Sequence, residues 1–218
     1  MIEDYYNTLR RDGVVELDLG DSPNQDLVEI ASIFGEVVPG ARGEMIQLLP
    51  ARDKGNGPIG SFSYKMGYGA FPWHTDTAYW DVPARYLLLT SSSASSCATL
   101  YQSFDAIREA IPDFDYLISR AVFLLDIPGR KRYLSPCFKN NFGTFGIRLD
   151  FHIYDPMNDE AARVLDEVGA FLSRNYKRFL WTGNNALVID NWRYIHARED
   201  ASEDKTRVLK RLYINELD

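Results

Sequence analysis

The chain has 218 residues, a formal net charge of −7 at pH 7 and a sequence pI of about 5.0. A protein whose main partner is nucleic acid needs a basic face to neutralise phosphates, so this charge balance argues against that class. Hydrophobic residues make up 45% of the chain and charged residues 25%, as in ordinary soluble globular proteins. The length fits a single domain over residues 1–218.

The sequence carries no sign of a membrane or secretory segment. No apolar run approaches the roughly 20 residues that span a bilayer, and the opening MIEDYYNTLRRDG lacks the apolar stretch of a signal peptide. Cys97 and Cys137 are the only cysteines, too few for a disulfide framework. We therefore expect a cytoplasmic protein with no membrane partner.

Many short segments alternate in the manner of strands, and Gly- and Pro-rich stretches separate them. The predicted strands are residues 14–19, 44–49, 73–77, 85–91, 122–125, 144–149, 179–181, 186–189 and 208–214. Helices are predicted over 22–34, with Ser22 as N-cap, and over 103–110 and 159–174; residues 51–70 form a long loop. Short strands with a few outer helices predict a mainly β fold with flanking helices, either a sandwich or a barrel.

His74 and Asp76 lie two residues apart in PWHTDTAYW, a predicted strand. Side chains alternate between the faces of a strand, so the imidazole and the carboxylate are expected to point the same way. A lone His-x-Asp pair is more often a surface pair than a metal site. His196, from a distant segment, would complete a facial triad with positions open for a cosubstrate and O₂. These three residues are the predicted triad; the third histidine, His152, is interpreted as structural.

Two arginines follow the distal histidine in TRVLKRLYI. Arg207 and Arg211 are four residues apart and therefore share one face of a strand. Such groups are usually solvated, but beside a metal they would anchor anions, because the planar fork of arginine matches a carboxylate. Arg198, two residues after His196, either steadies a carboxylate or binds substrate. Tyr68 is expected either to line the pocket or to pack in the core.

Four segments, in this order, resemble motifs of the taurine dioxygenase and clavaminate synthase-like family of iron(II)/2-oxoglutarate dioxygenases. They are WHTDTAY, with the His-x-Asp pair; SSCATLYQS, with Thr-Leu-aromatic; DNWRYIHAR, with the distal histidine; and TRVLKRLYI, with the two arginines. The resemblance covers about residues 70–215 and, more weakly, the earlier FGEVVPGARGE. It implies a double-stranded β-helix, or jelly roll, with the triad at its open end.

The resemblance also implies roles for individual residues. The predicted triad would hold iron(II), Arg207 would bind the distal carboxylate of 2-oxoglutarate, and Thr99 would donate a hydrogen bond to that carboxylate. Arg211 would meet an acidic group of the substrate. The spacing from His196 to Arg207 resembles one branch of the family and the local motif the other, so the roles of the two arginines stay interchangeable. Ala197 stands where the family usually has glycine.

The implied activity is oxidation of a C–H bond of a small molecule, with consumption of 2-oxoglutarate and O₂ and release of succinate and CO₂. Asp76 favours hydroxylation, desaturation or ring closure over halogenation, since halogenating relatives lack this carboxylate. We expect an acid-bearing substrate, such as a free or carrier-bound amino acid or natural-product intermediate. The alternatives are a non-catalytic jelly-roll protein that binds a ligand and retains the metal site, and a zinc enzyme of the cupin type.

Overall fold

The computed structural model describes residues 2–20, 26–59, 61–127 and 129–216. The helices within these ranges are α1 (Ile2–Asp12), α2 (Leu27–Ser32), α3 (Phe62–Met66), α4 (Phe104–Ala110), α5 (Phe114–Arg120) and α6 (Asp159–Leu172). The strands are β1 (Val14–Asp18), β2 (Glu36–Val38), β3 (Gln47–Pro50), β4 (Phe71–His74), β5 (Tyr86–Ser91), β6 (Ala94–Ser103), β7 (Phe123–Ile127), β8 (Arg130–Leu134), β9 (Cys137–Lys139), β10 (Phe145–Ile147), β11 (Tyr154–Pro156), β12 (Lys177–Thr182), β13 (Asn185–Asp190), β14 (Tyr194–Arg198) and β15 (Val208–Asn215). No helix in these ranges is long and apolar enough to cross a membrane.

Two antiparallel sheets form the body of the fold. The larger sheet has the order β1-β13-β5-β15-β2, with β3 also paired to β15, and the smaller has the order β12-β6-β14-β4. A three-stranded sheet, β11-β7-β8, and the hairpin β9-β10 complete the strands that the structure describes. The predicted mainly β jelly roll with flanking helices is confirmed.

Strand β13 shows how the larger sheet is buried on both faces. Leu187 and Ile189 join an apolar cluster that includes Phe179 and Tyr194 of the smaller sheet. Val188 points the opposite way, into a second cluster with residues of α1 and α2. Side chains two apart share a face, so one face of β13 packs between the sheets and the other packs under the helices. The sheet therefore has little freedom to shift, and it provides a rigid base for the residues at its ends.

The predicted elements agree with the structure except at several points. The helix predicted over 159–174 is α6, and its N-cap Asn158 accepts a hydrogen bond from the backbone of Ala161. The predicted N-cap Ser22 lies outside the described residues; within them, α2 starts after the N-cap Asp26. The predicted 51–70 loop contains α3. Strands β2, β6, β8, β9, β11 and β14 and helices α1 and α5 are absent from the prediction. The missed strands are short or do not alternate cleanly.

A buried ion pair joins the start of β5 to the end of β13. Arg85 donates to Asp190 Oδ2 at 2.7 Å, and the two side chains are 13% and 1% exposed. The Arg85 guanidinium also lies 4.5 Å from the ring centroid of Trp192. The pair fixes the chain where it leaves β13 and enters the segment that leads to His196.

Replacing Arg85 by alanine should lower the free energy of unfolding by about 3–5 kcal/mol, because Asp190 would remain as an unpaired buried charge. The double replacement Arg85→Met with Asp190→Leu should recover most of this loss. Urea unfolding measures both changes. The control Arg108→Ala removes exposed ion pairs and should shift the midpoint little; equal losses from the two single variants would contradict the role of the buried pair.

Candidate active site

The two triad histidines face each other across a strand pair. Strand β14 runs antiparallel to β4, and His196 stands directly opposite His74 in the register. Their ring centroids are 4.3 Å apart, and each residue is 6% exposed. The sheet itself therefore brings together two imidazoles that are 122 positions apart in the chain.

Asp76 reaches the histidines from a turn, which differs from the prediction that the strand continues to residue 77. Strand β4 ends at His74, and the next residues turn. Asp76 Oδ1 lies 3.8 Å from His74 Nε2, and its Oδ2 lies 3.9 Å from His196 Nε2. One ligand atom from each residue lies within 4.8 Å of the other two. The predicted convergence occurs, but the alternation of a strand does not cause it.

Asn191 holds the turn in place. Its Oδ1 accepts from the backbone N–H of Asp76 at 2.8 Å, and its Nδ2 donates to the Asp76 carbonyl at 2.9 Å. Thr77 has a φ of +53°, a left-handed conformation that is unfavourable for a β-branched residue. The Thr77 hydroxyl donates to the Asp76 carbonyl and accepts from the backbone of Ala84, which stabilises that conformation. The position of the carboxylate thus depends on side chains that the motif itself does not contain.

Burial keeps the two imidazoles neutral. It lowers the pKa of His74, and it lowers the pKa of His196 to about 3. His74 Nδ1 lies 2.8 Å from the carbonyl oxygen of Pro72, which can only accept, so Nδ1 carries the proton. The Nε2 atom facing Asp76 therefore has a free lone pair, which is the form that binds a metal.

Arg211 neutralises the buried carboxylate. Its Nη1 donates to both oxygens of Asp76 at 2.8 Å, and its Nη2 donates to Gln47 Oε1 at 2.7 Å. Burial acts to raise the pKa of Asp76, but the charge and the hydrogen bonds of Arg211 outweigh this and leave that pKa below its usual value. Asp76 is therefore an ionised acceptor that the guanidinium and the two Nε2 atoms all face.

Arg207 and Thr99 line the same cavity, which has a volume of about 550 Å³ and also contains the triad. Each is 3% exposed. The Arg207 Nε atom has no hydrogen-bond partner among the described residues, and no described carboxylate lies within 4.0 Å of its guanidinium. Arg211, on β15, lines the cavity as well, and Arg207 directly precedes that strand, so the predicted shared strand face holds only in that both side chains reach the cavity. Of the two arginines, Arg207 is the one without an acidic partner in the described chain.

Arg198 and Tyr68, the other two residues predicted to contact the substrate, lie in different places. Arg198 lines the cavity, but its Nη2 donates to the carbonyls of residues 67, 68 and 69 at 2.8, 3.0 and 2.5 Å. Its guanidinium lies 3.4 Å from the ring centroid of Phe71. Tyr68 packs against Ala51, Cys97 and Ala201 and is not among the residues that line the cavity. The structure brings Arg198 to the site and leaves Tyr68 outside it.

Two further residues, Phe62 and Asp150, lie beside the triad without a signal in the sequence. The Phe62 ring is 4.4 Å from that of His74 and 5.4 Å from that of His152, which also lines the cavity. Asp150 pairs with His74 through an isolated β-bridge and is 4% exposed. Burial raises the pKa of Asp150 to about 7. Asn191 could have been suspected from its place in DNWRYIHAR, whereas nothing in the local sequence marks Phe62 or Asp150.

Replacing Arg198 by methionine should loosen the 67–69 segment, because three carbonyls would lose a charged donor. We expect faster tryptic cleavage after Lys54 and Lys65 and a loss of about 3 kcal/mol in the free energy of unfolding. Limited proteolysis followed by mass spectrometry locates the cuts. Arg198→Lys, which keeps one charged donor, should show an intermediate rate; unchanged cleavage in both variants would contradict this contact.

Comparison with known proteins identifies the family. The sequence model of "Taurine catabolism dioxygenase TauD, TfdA family" matches residues 98–213, more than half of the chain. No curated protein matches the sequence. Among solved structures, an asparagine oxygenase in complex with Fe(II), 2S,3S-3-hydroxyasparagine and succinate is similar, with a TM-score of 0.75 and 13% identity over 98% of this chain and 77% of that chain.

Two further structures share the fold. The non-haem iron oxygenase OrfP, in complex with Fe and alpha-ketoglutaric acid, has a TM-score of 0.73 and 18% identity over 98% of this chain and 79% of that one. The PvcB protein from Pseudomonas aeruginosa has a TM-score of 0.72 and 17% identity over 98% and 80% of the two chains. At sequence identities this low, the similarity to these structures establishes the fold alone. The family match establishes that the chain belongs to the taurine catabolism dioxygenase TauD, TfdA family and is an oxygenase.

Proposed function

We propose that the protein, as a single domain over residues 1–218, is an Fe(II)- and 2-oxoglutarate-dependent dioxygenase that hydroxylates a C–H bond of a small, acid-bearing molecule. The observation that carries this proposal is the group formed by His74, Asp76 and His196, whose ligand atoms lie within 4.8 Å of one another. Family membership and the relatives that hold iron with 2-oxoglutarate or succinate support it.

The donor set fits iron(II). Two neutral imidazoles and one carboxylate form the ligand set of non-haem iron oxygenases, and it leaves coordination positions free for other ligands. The remaining Nδ1 of His74 donates to a carbonyl, as metal-bound histidines usually do with their second nitrogen. His74, Asp76 and His196 would hold the metal, and Arg211 would balance the charge of the Asp76 carboxylate from its other side.

Arg207 and Thr99 fit the distal carboxylate of 2-oxoglutarate. A guanidinium that is 3% exposed and has no acidic partner within 4.0 Å among the described residues is costly to bury unless a ligand supplies the anion. Thr99, equally buried, contributes a hydroxyl donor to the same cavity. Because Arg211 is already paired with Asp76, this arrangement favours Arg207 as the cosubstrate anchor.

When bound, iron(II) with 2-oxoglutarate supplies oxidative decarboxylation that activates O₂ for attack on a C–H bond, with succinate and CO₂ as by-products. The residues of the chain orient the reactants and exclude water. Phe62 packs against His74, and Tyr79, Ile127 and Ile153 are among the residues that line the same cavity. Such walls hold one C–H bond near the metal and strengthen the electrostatic contacts inside the cavity.

An amino acid or natural-product intermediate, free or carrier-bound, would fit as the substrate. The structures with hydroxyasparagine and with (3S)-hydroxy-L-Arg are relatives that hold hydroxylated amino acids. Arg211 lines the cavity beside Asp76, and its Nε atom, which has no hydrogen-bond partner among the described residues, is the donor that would meet an acid of the substrate. The predicted contact between Arg198 and the substrate would use the guanidinium nitrogens other than Nη2, because Nη2 donates to the carbonyls of residues 67–69.

An anaerobic titration tests the cofactor assignment. Iron(II) and 2-oxoglutarate added to metal-free protein should give the weak visible charge-transfer band of a chelated keto acid. His74→Ala should abolish the band, and Arg207→Ala should raise the 2-oxoglutarate concentration needed by about 10- to 100-fold, the typical cost of a charged hydrogen bond.

His152→Ala and Arg174→Ala are the matched controls, since the first removes a histidine outside the triad and the second an exposed arginine; both should keep the band. Failure of the wild type to give a band at saturating 2-oxoglutarate would contradict the proposal. A band that survives His74→Ala would contradict the assignment of the ligands.

Asn191→Ala should weaken iron(II) binding by about 10- to 100-fold while the protein stays folded, because Asn191 fixes the turn that carries Asp76. Titration with Fe(II) under anaerobic conditions gives the affinity, and circular dichroism checks the fold. A folded variant with wild-type affinity would show that the turn holds its conformation without Asn191.

A further inference from the structure

The exposed part of the cavity wall has a composition that differs from the rest of the chain. The described residues that line the cavity and are exposed are Ala41, Arg42, Leu48, Arg52 and Ile59. None of these five is acidic, although the chain as a whole has a net charge of −7. Cationic and apolar side chains therefore border the opening of the cavity, and we call Arg42, Leu48, Arg52 and Ile59 the rim.

The two arginines of the rim lack acidic partners. No described carboxylate lies within 4.0 Å of either guanidinium. Arg52 Nη1 donates to the carbonyl of Asn56 at 3.3 Å, and Arg42 makes no hydrogen bond to a described residue through its side chain. An exposed arginine is usually solvated. Two of them at one opening form a site for an anion, because each planar guanidinium presents a fork of donors.

The chain around these arginines is positively charged. Residues 41–65, which include the whole rim, carry four basic and two acidic side chains, a net charge of +2 in a chain of −7. An anion that approaches the cavity therefore meets a locally positive stretch on a protein that otherwise repels it.

The apolar residues of the rim are exposed to water. Ile59 is 80% exposed and Leu48 is 63% exposed; Met45 and Ile46, which precede Leu48 in the chain, are 44% and 36% exposed. Single exposed apolar side chains are common, whereas a group of them beside a charged opening is typical of a ligand groove or an interface. Leu48 and Ile59 also line the cavity. A ligand that fills the cavity and continues over the rim would cover both surfaces.

We propose that the rim binds the outer part of an extended substrate. An apolar chain of that substrate lies over the two apolar residues of the rim, and an anionic group on the chain, a phosphate or a carboxylate, binds to the two arginines. This inference rests on the proposed function and narrows its substrate to an acyl or tethered molecule that is longer than a free amino acid. Contacts at the rim then help to hold the reacting C–H bond near the metal, because binding free energy from remote parts of a substrate positions its reacting end.

Alkyl probes of one chain length test this inference in the protein loaded anaerobically with iron(II) and 2-oxoglutarate. The probes are octyl phosphate, octanoate and 1-octanol, with ethyl phosphate and acetate as analogues that lack the chain. Isothermal titration calorimetry gives each affinity, and saturating 2-oxoglutarate keeps the probes out of the cosubstrate site. At least one anionic octyl probe should bind about 10- to 100-fold more tightly than 1-octanol and than its short analogue. A preference for octyl phosphate indicates a phosphorylated tether, and a preference for octanoate indicates an acidic acyl chain.

Two double variants separate the effects of charge and chain. Arg42→Ala with Arg52→Ala should reduce the preference for an anion to about threefold or less, because both forks are removed. Leu48→Ser with Ile59→Ser should reduce the preference for the octyl chain to about threefold or less, because the apolar contact is removed. All four side chains are exposed, so both variants should fold and keep the charge-transfer band with 2-oxoglutarate alone.

The matched controls are Arg174→Ala and Leu180→Ser. Each replaces an exposed side chain of the same type that does not line the cavity. Both controls should keep the wild-type preferences. Equal losses in the controls and in the double variants would show that the probes bind to the surface without a specific site, and the inference would be wrong.

Two further outcomes would overturn the inference while the proposed function stands. One is a wild type that gives the band but binds neither anionic probe more tightly than 1-octanol; the other is a set of preferences that survives both double variants. If the wild type binds no probe but self-associates in analytical ultracentrifugation, and Leu48→Ser with Ile59→Ser abolishes this, the rim is an interface with a second copy instead. Absence of the band in the wild type would remove the proposed function, and the inference with it.

Discussion

The buried carboxylate of Asp76 is the group on which the rest of the site depends. It must stay ionised while 6% exposed, and two features make this possible: the guanidinium of Arg211 and the turn that Asn191 holds. Arg211 and a metal would both face this one carboxylate. The balance of charge in the cavity is therefore coupled to metal binding. With or without a bound metal, Arg211 keeps a positive charge beside Asp76.

The paired strands of the jelly roll hold side chains of the site at fixed positions relative to one another. Strand β14 sets His196 opposite His74 in the smaller sheet, and β15 of the larger sheet carries Arg211 to the same point. The apolar cluster between the sheets, with Leu187 and Phe179, fixes the distance between these strands. Functional groups that come from two sheets of one packed core keep their relative positions well, which a site for oxygen chemistry requires.

The sequence predicted the fold class and most strands from alternation, and it predicted the convergence of the three triad residues from motifs of few residues. It did not predict how Asp76 gets there, because a turn held by a residue 115 positions away leaves no local pattern. Tyr68 and Arg198 show the same limit: a position near a motif does not say whether a side chain turns toward the cavity, packs in the core or binds backbone carbonyls. Nothing in the local sequence distinguishes Asp150, which pairs with His74 through a β-bridge and lines the cavity.

A crystal structure of the protein prepared anaerobically with iron(II) and 2-oxoglutarate would show the proposed site directly. We predict one iron per chain, bound by Nε2 of His74, Nε2 of His196 and the carboxylate of Asp76, with the distal carboxylate of 2-oxoglutarate on Arg207. Iron bound by other residues, or no iron at this position with the pair of Arg211 and Asp76 unchanged, would contradict it.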